Sequence, residues 1–482
     1  MAEPEETPLE DTWFSPGRLL MLFIAMNLLI YADRGVIACN GVNGAASLPD
    51  GSGGFGIQGD FGLTLFEDGI LPAAFMVGLL ASSPFFAEMS KHCNPFRLIA
   101  IGLGVWTLST AGCGLATGFW SLLLCRMAVG IGEASFVALA APFIDDHAPK
   151  NYKTQWLAML YLCVPAGYAL GYIGGGLVAG PFGWRSTFFL EAGMMLPFAI
   201  FCAFAPPLSL RKDPLLEDGE KGLEEEGLGA TVKARTSSFF SDLTRTLKEP
   251  VFVCTMFGYA VYTAVIGAYG FWGPKAGRDV FKIPGRTADL TFGVVTVLAG
   301  IVGTLAGGFV LDQVGATLAN ALLICITACT VGCALIIVGF MIPQTLHAFI
   351  LPFAMGEFAL FSISAPCNAV GLWSVPTRLR PFAMSLNILV IHLLGDVPSP
   401  PILGLIQGRI QNWRISMSIA SALLIPSACL YGLGLLFSRN ATDYRQVQGT
   451  SKRNPAGAQA AAEAGVADSL LPGNEERHGD HA

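Results

Sequence analysis

Residues 19–39 read LLMLFIAMNLLIYADRGVIAC, an apolar run that nevertheless carries Asp33 and Arg34 side by side. About 20 apolar residues suffice for a helix to cross roughly 30 Å of hydrocarbon. A charge near the middle of that path costs roughly 2.5–3.5 kcal/mol on insertion scales, so ionisable residues inside a span usually face a cavity or a partner. A later apolar run repeats the pattern with Arg126 and Glu133. Four isolated charges of this kind would cost on the order of 10–14 kcal/mol, which rivals the whole stability of a domain. They are expected to be mutually paired, hydrated or both, in a chain that moves something across a membrane.

The rest of the chain supports the same class. Its 482 residues are 53% apolar and 13% charged, with a mean hydropathy of +0.57, whereas soluble domains run near about 25% charged. Twelve candidate spans cover residues 18–40, 65–88, 97–117, 119–145, 154–179, 185–205, 250–273, 289–312, 317–341, 346–370, 382–407 and 414–438. Strands of a membrane barrel would be short and alternating, unlike these runs, so the expected fold is an all-α polytopic membrane protein. Acidic residues (Glu3, Glu5, Glu6, Glu10, Asp11) stand where a signal peptide would be basic. With the amino terminus in the cytosol, 19 of the 28 Lys and Arg fall on the cytosolic side, 7 outside and 2 within the membrane. That distribution favours cytosolic termini, although setting aside the long linker and tail leaves 7 against 7. The net charge of −7 comes largely from the tails and linker and implies no nucleic-acid partner. The 12 cysteines sit mostly in spans and show no disulfide framework. Cys325, Cys329 and Cys333 share one helix face, but ligands in a line do not make the tetrahedron zinc wants; they read as packing residues. No metal or cofactor is expected, and no nucleophile–base pair suggests an enzyme.

Residues 206–249 hold 16 charged residues and read as a cytosolic linker between residues 18–205 and 250–438, six spans each. Phe239, Phe240, Leu243 and Leu247 give the end of the linker helical spacing, consistent with a short interfacial helix. Residues 1–17 read as a cytosolic segment and 439–482 as a disordered tail. The two halves echo each other. Gly132-Glu133 precedes Ala141-Pro142 at the interval that separates Gly356-Glu357 from Ala365-Pro366, and Trp184-Arg185 enters span 6 as Trp413-Arg414 enters span 12. Parallel repeats of this kind mark the major facilitator architecture, two six-helix halves around a central site. The loop signature of that architecture is poor at Ala87–Asn94; Gly308, Asp312 and Gly315 keep its frame after span 8, where Gln313 and Ala316 lack the basic charge. Gly167, Gly171 and Gly175 form a small-residue stripe on span 5 that suits close helix packing or a hinge.

Arg126 and Glu133, seven residues apart, face one direction on span 4, about 10 Å apart along the axis. Asp33 and Arg34 are about 100° apart on span 1, so one can face span 4 while the other faces the cavity. Asn27, Tyr31 and Arg34 form a polar stripe. A carboxylate whose cationic partner leaves as helices move tends to take up a proton, because desolvation disfavours the anion; such a carboxylate couples protons to conformation. In the second half, Glu357 is the repeat mate of Glu133. Span 11 carries His392 and Asp396 one turn apart, beside Pro398, Pro400 and Pro401, which break the helix mid-membrane. Glu191 on span 6 has no evident partner. Phe136, Tyr161, Tyr168, Tyr262, Tyr269 and Trp272 are candidates for lining the path, with interfacial belts as the alternative; Tyr31, Phe136, Trp272, Glu357, His392 and Asp396 are the candidates for a substrate cavity.

Asn27–Arg34 together with Gly132-Glu133-Ala134-Ser135 resembles the Spinster family of the major facilitator superfamily. The resemblance extends through Gly183-Trp184-Arg185, Gly267–Gly273 with Pro274-Lys275, and His392–Asp396. Phe66–Gly69, Asn94–Arg97 and Ala141–Asp146 resemble the plant-type members, and the whole covers about residues 18–440 without most of the linker. The resemblance implies a carrier of sphingolipids, sphingosine 1-phosphate or lysophospholipids, resident in late endosomes or lysosomes or at the cell surface. It implicates Asp33, Arg34, Arg126 and Glu133 in proton coupling. A monomer in the bilayer with a lipid or lysolipid substrate is the expected state. A carrier of small polar solutes or organic anions is the alternative, since a cationic site such as Arg34 suits a phosphate headgroup or a sugar acid equally. A receptor or scaffold is a third reading, opposed by the span count and the repeat.

Overall fold

The computed structural model describes residues 16–47, 53–89, 93–147, 153–205 and 240–445, side chains at 138, 141–147 and 161 among those excepted. Most of the expected amino-terminal segment, linker and tail, part of the loop after span 2, and the Tyr161 side chain lie outside that description. Among the described residues, twelve helices are long and apolar enough to cross a membrane: Gly17–Ala38, Leu65–Phe86, Phe96–Leu115, Phe119–Val137, Leu162–Phe182, Trp184–Phe204, Pro250–Phe281, Gly285–Val314, Leu318–Met341, Leu346–Trp373, Arg380–Ile410 and Trp413–Ser438. They are numbered here as spans 1 to 12. Residues 240–247 form a short helix before span 7.

Local chemistry sets several boundaries. Asn94, Thr317, Thr345 and Asn412 cap spans 3, 9, 10 and 12 by accepting a backbone N–H two or three residues ahead, which satisfies a donor the helix leaves free. Gly183, at φ 80°, turns the chain between spans 5 and 6 with only one residue outside the helices. Span 11 keeps its helical path through the prolines by widening to a π turn over His392–Asp396, where the Val397 N–H donates to the His392 carbonyl at 3.0 Å. Pro398 has no N–H to continue the ladder, and π turns of this kind are concentrated at functional sites. Span 10 is interrupted at Ser362 and Ile363.

The small-residue stripe of span 5 packs on span 1. A Cβ on Gly171 would lie 2.1 Å from the Ala32 carbonyl oxygen, and one on Gly167 would lie 2.4 Å from Tyr31 Cβ. The two halves meet along spans 2 and 11 and along spans 5 and 8, where Gly69 lies against Pro400 and Gly300 against Pro165. Hydrogen bonds across this seam gather at the end of the bundle where span 1 finishes. There Lys275 of span 7 donates to Asn43 at 2.6 Å, to Gln58 and to Asp68 at 3.3 Å, while Asn43 donates to the other Asp68 oxygen at 2.7 Å. Beside it the Asn40 backbone N–H and side-chain amide both donate to Asp289 of span 8, at 2.9 and 2.8 Å. Arg278 donates to the Gly44 carbonyl. All three ammonium protons of Lys275 therefore have acceptors, which is what makes a buried charge tolerable.

The contact geometry at Gly171 makes a sharp prediction. Gly171→Val forces spans 1 and 5 apart and is expected to cost about 1–3 kcal/mol, read as a lower thermal midpoint in detergent. Gly174→Val, where a Cβ would meet nothing within 4 Å, is the control that leaves the midpoint unchanged.

Candidate functional site

Span 1 presents both of its charges to span 4. Arg126 donates through its two terminal nitrogens to the two oxygens of Asp33, at 2.7 and 2.8 Å, and Arg34 pairs with Glu133. The expected division, one charge to span 4 and the other to the cavity, is replaced by two parallel ion pairs. The reason is reach: the long Arg34 side chain pairs with Glu133 and still shows its guanidinium to the cavity. Asp33 and Glu133 are completely buried, Arg126 is 1% exposed and Arg34 10%. Bidentate geometry makes the Asp33–Arg126 pair the more directional of the two. Phe75 of span 2 lies against both guanidinium groups, with Arg34 4.8 Å and Arg126 5.4 Å from its ring centre, and Tyr31 lies 4.7 Å from Arg34. These aromatic faces add cation–π attraction where water is scarce.

A cavity of about 250 Å³ opens between the halves. Its first-half wall includes Tyr31, Arg34, Phe75, Arg126 and Tyr168; its second-half wall includes Glu357, His392 and Asp396. Glu357 accepts from Thr296 of span 8, at 3.1 Å to the nearer oxygen. His392 Nδ1 lies 2.6 Å from Asp396 across the π turn. Ile37, Met76, Phe271, Phe292 and Phe361 supply apolar surface between the two charged walls. The cavity thus meets the cations of the first half directly, whereas their carboxylates lie behind them.

Several candidates fall elsewhere. Phe136 is a core residue packed on Phe23 at 5.6 Å between ring centres, not a cavity residue. Trp272 is fully buried, lies 5.4 Å from Trp413 between ring centres in a tilted pair, and donates to the Pro400 carbonyl at 2.8 Å, so it braces the broken span 11 rather than lining the path. Asn27 is tied to the Leu160 carbonyl, just before span 5, and leaves the polar stripe to Tyr31 and Arg34. Tyr262 is buried on the Leu360 carbonyl, whereas Tyr168 and Tyr269 do line the cavity. Reading by residue type overlooked Thr296, Tyr172, and the seam groups Asp68, Lys275 and Asp289. The last three carried a legible signal, because each is a charge inside an apolar helix.

The Major Facilitator Superfamily model matches residues 51–400 of the chain. A curated relative, "Probable sphingolipid transporter spinster homolog 2" of Arabidopsis thaliana, is 44% identical over 433 residues, 89% of each chain. "Protein spinster homolog 1" of Homo sapiens is 28% identical, over 85% of this chain and 77% of its own. Among solved structures, a bacterial homolog of the human lysosomal transporter spinster, in an inward-facing and unoccupied conformation, superposes with a TM-score of 0.70 at 19% identity. That match covers 88% of this chain and 97% of the other.

The pairing yields a double-mutant test. Arg126→Leu strands the buried Asp33 carboxylate and is expected to cost about 3–5 kcal/mol, measured as a fall in the thermal midpoint. Adding Asp33→Leu removes the stranded charge and should return most of that loss, because an apolar replacement of a whole buried pair is often near neutral.

Proposed function

The chain belongs to the spinster family of the major facilitator superfamily, and from that premise we propose that this membrane transporter is a proton-coupled carrier of sphingolipids or lysophospholipids that works by alternating access. The observation that carries the reading is the cavity itself, with guanidinium groups on one wall, carboxylates on the other and aromatic and aliphatic surface between. An amphipathic ligand fits that pattern better than a sugar does, since a sugar asks for hydrogen-bonding groups on all sides. At about 250 Å³ the cavity is smaller than the roughly 300–1,000 Å³ that whole drug-sized ligands occupy. It takes a headgroup and the first carbons of a lipid, leaving the tail to run between helices.

In this reading coupling follows from competition for Arg34. A phosphate entering the cavity draws the guanidinium away from Glu133. A buried carboxylate left without its cation is costly as an anion, so binding of the headgroup is matched by uptake of a proton at Glu133. Asp33 and Arg126 hold the adjoining part of spans 1 and 4 together and pass through the same exchange as the halves rock. With the amino terminus in the cytosol, the hydrogen-bonded seam around Lys275 lies on the far side and holds that side shut. Each pH unit supplies about 1.36 kcal/mol per proton, and the acidic lumen of a late endosome or lysosome would provide such a gradient.

Purified protein in liposomes tests the reading. An imposed pH gradient is expected to drive uptake of a lysophospholipid or sphingoid phosphate probe, with about a tenfold change in accumulation per pH unit for one proton. Glu133→Gln should remove the gradient dependence while exchange of lipid across the membrane persists. Unaltered gradient-driven uptake in Glu133→Gln rules the coupling out; uptake of sugars or organic anions, with no competition by lysolipids, rules the lipid assignment out.

A further inference from the structure

Span 6 holds a carboxylate that neither ion pair uses. Glu191 is 4% exposed, and neither of its oxygens has a hydrogen-bond partner among the described residues. The helix register places it beside the coupling pairs. Gly114 of span 3 lies against Arg185 and Phe189 of span 6, and Gly112 of span 3 lies against Cys125 of span 4. These antiparallel contacts bring Thr110, Arg126 and Glu191 to one depth. Thr110 Oγ1 and Arg126 Nε are likewise buried and unpartnered. Three packed helices therefore carry lone buried polar atoms at the level of the Arg126 guanidinium.

The titratable neighbours are few. Asp33 of span 1, Cys39 just beyond it and Arg126 of span 4 act electrostatically on Glu191. Cys113 of span 3 shares the interior with Arg126 and Asp33. Tyr172 of span 5 is turned away to the Gly270 carbonyl, and residues 40–43 bring no titratable side chain. Arg126 is the one cation in this set, and Asp33 occupies both of its terminal nitrogens. A buried carboxylate with no hydrogen-bond donor, whose one neighbouring cation is already committed to another carboxylate, is costly as an anion.

We propose that Glu191 is a second proton-carrying residue of the coupling machinery, exchanging places with Asp33 on the single guanidinium of Arg126. The exchange balances. One proton binds to an Asp33 oxygen as Arg126 leaves it, and one leaves the Glu191 carboxyl as Arg126 arrives. The trio carries no net charge before or after, so the buried region never holds an unpaired ion. Glu191 touches no substrate; it sets the position of Arg126 and hands a proton onward. The inference rests on the proton-coupled reading above.

Infrared difference spectroscopy of the full-length protein in liposomes, paired with pH-driven uptake of a sphingoid phosphate probe, tests it. The wild type is expected to show the carbonyl stretch of a protonated, buried glutamic acid that Glu191→Gln removes and Glu191→Asp restores at a shifted frequency. Glu191→Gln should lower pH-driven uptake by about tenfold or more and leave lipid exchange without a gradient intact, with partial recovery in Glu191→Asp. A coupled wild type in which Glu191→Gln alters neither the band nor the pH dependence overturns the assignment of Glu191 alone. A wild type without any pH-driven uptake overturns the coupling reading and this inference with it. If neither variant folds, wild-type protein labelled at the glutamate carboxyl carbon still decides: absence of a protonated glutamic acid band contradicts the proposal.

Discussion

A carboxylate inside a bilayer needs a cation or a proton, and the interior of this protein is arranged around that demand. Asp33 and Glu133 are shut away from the cavity by the arginines they pair with. The cavity therefore presents guanidinium groups, and whatever anion engages them does so at the expense of a carboxylate. Because hydrocarbon tolerates neither an unpaired anion nor an unpaired cation, the loss of one partner must be met by another charge or by a proton. In the proposed reading, coupling between headgroup and proton follows from that rule.

The same rule operates at the seam between the halves. Lys275 is buried against three acceptors, Asn43, Gln58 and Asp68, all of which belong to the other half of the molecule. In the proposed alternating-access cycle, opening that end would return the ammonium to water, which offsets much of what the three acceptors supply. The glycine contacts between spans 1 and 5 do the opposite. They fix backbone to backbone at distances that no side chain could share, which locks span 1 against span 5.

Much of this was legible in the chain. Charges within apolar runs announce themselves, and the seven-residue spacing of Arg126 and Glu133 put both on the face that meets span 1. The pairing could not be read, because which carboxylate meets which guanidinium depends on helix rotation and on side-chain reach. Aromatic residues were harder. Span helices are apolar on every side, so periodicity cannot separate a cavity face from a core face; Tyr31 reached the cavity while Phe136 and Trp272 packed into the protein. The prolines of span 11 predicted a break beside the cavity candidates His392 and Asp396, but not that it would take the form of a π turn. The Lys275 cluster joins residues more than 200 positions apart, 217 for Gln58 and 207 for Asp68, and two of its members, Asn43 and Gln58, come from the segment between spans 1 and 2. Only the charges of Asp68 and Lys275 hinted at it.

Simultaneous recording of lipid and proton movement in sealed liposomes addresses the exchange at Arg34 most directly. With a sphingoid phosphate or lysophospholipid added on one side and a pH-sensitive dye enclosed on the other, protons are predicted to move with the lipid, in fixed proportion and without an imposed gradient. Lipid flux of undiminished rate with no accompanying proton movement would contradict it.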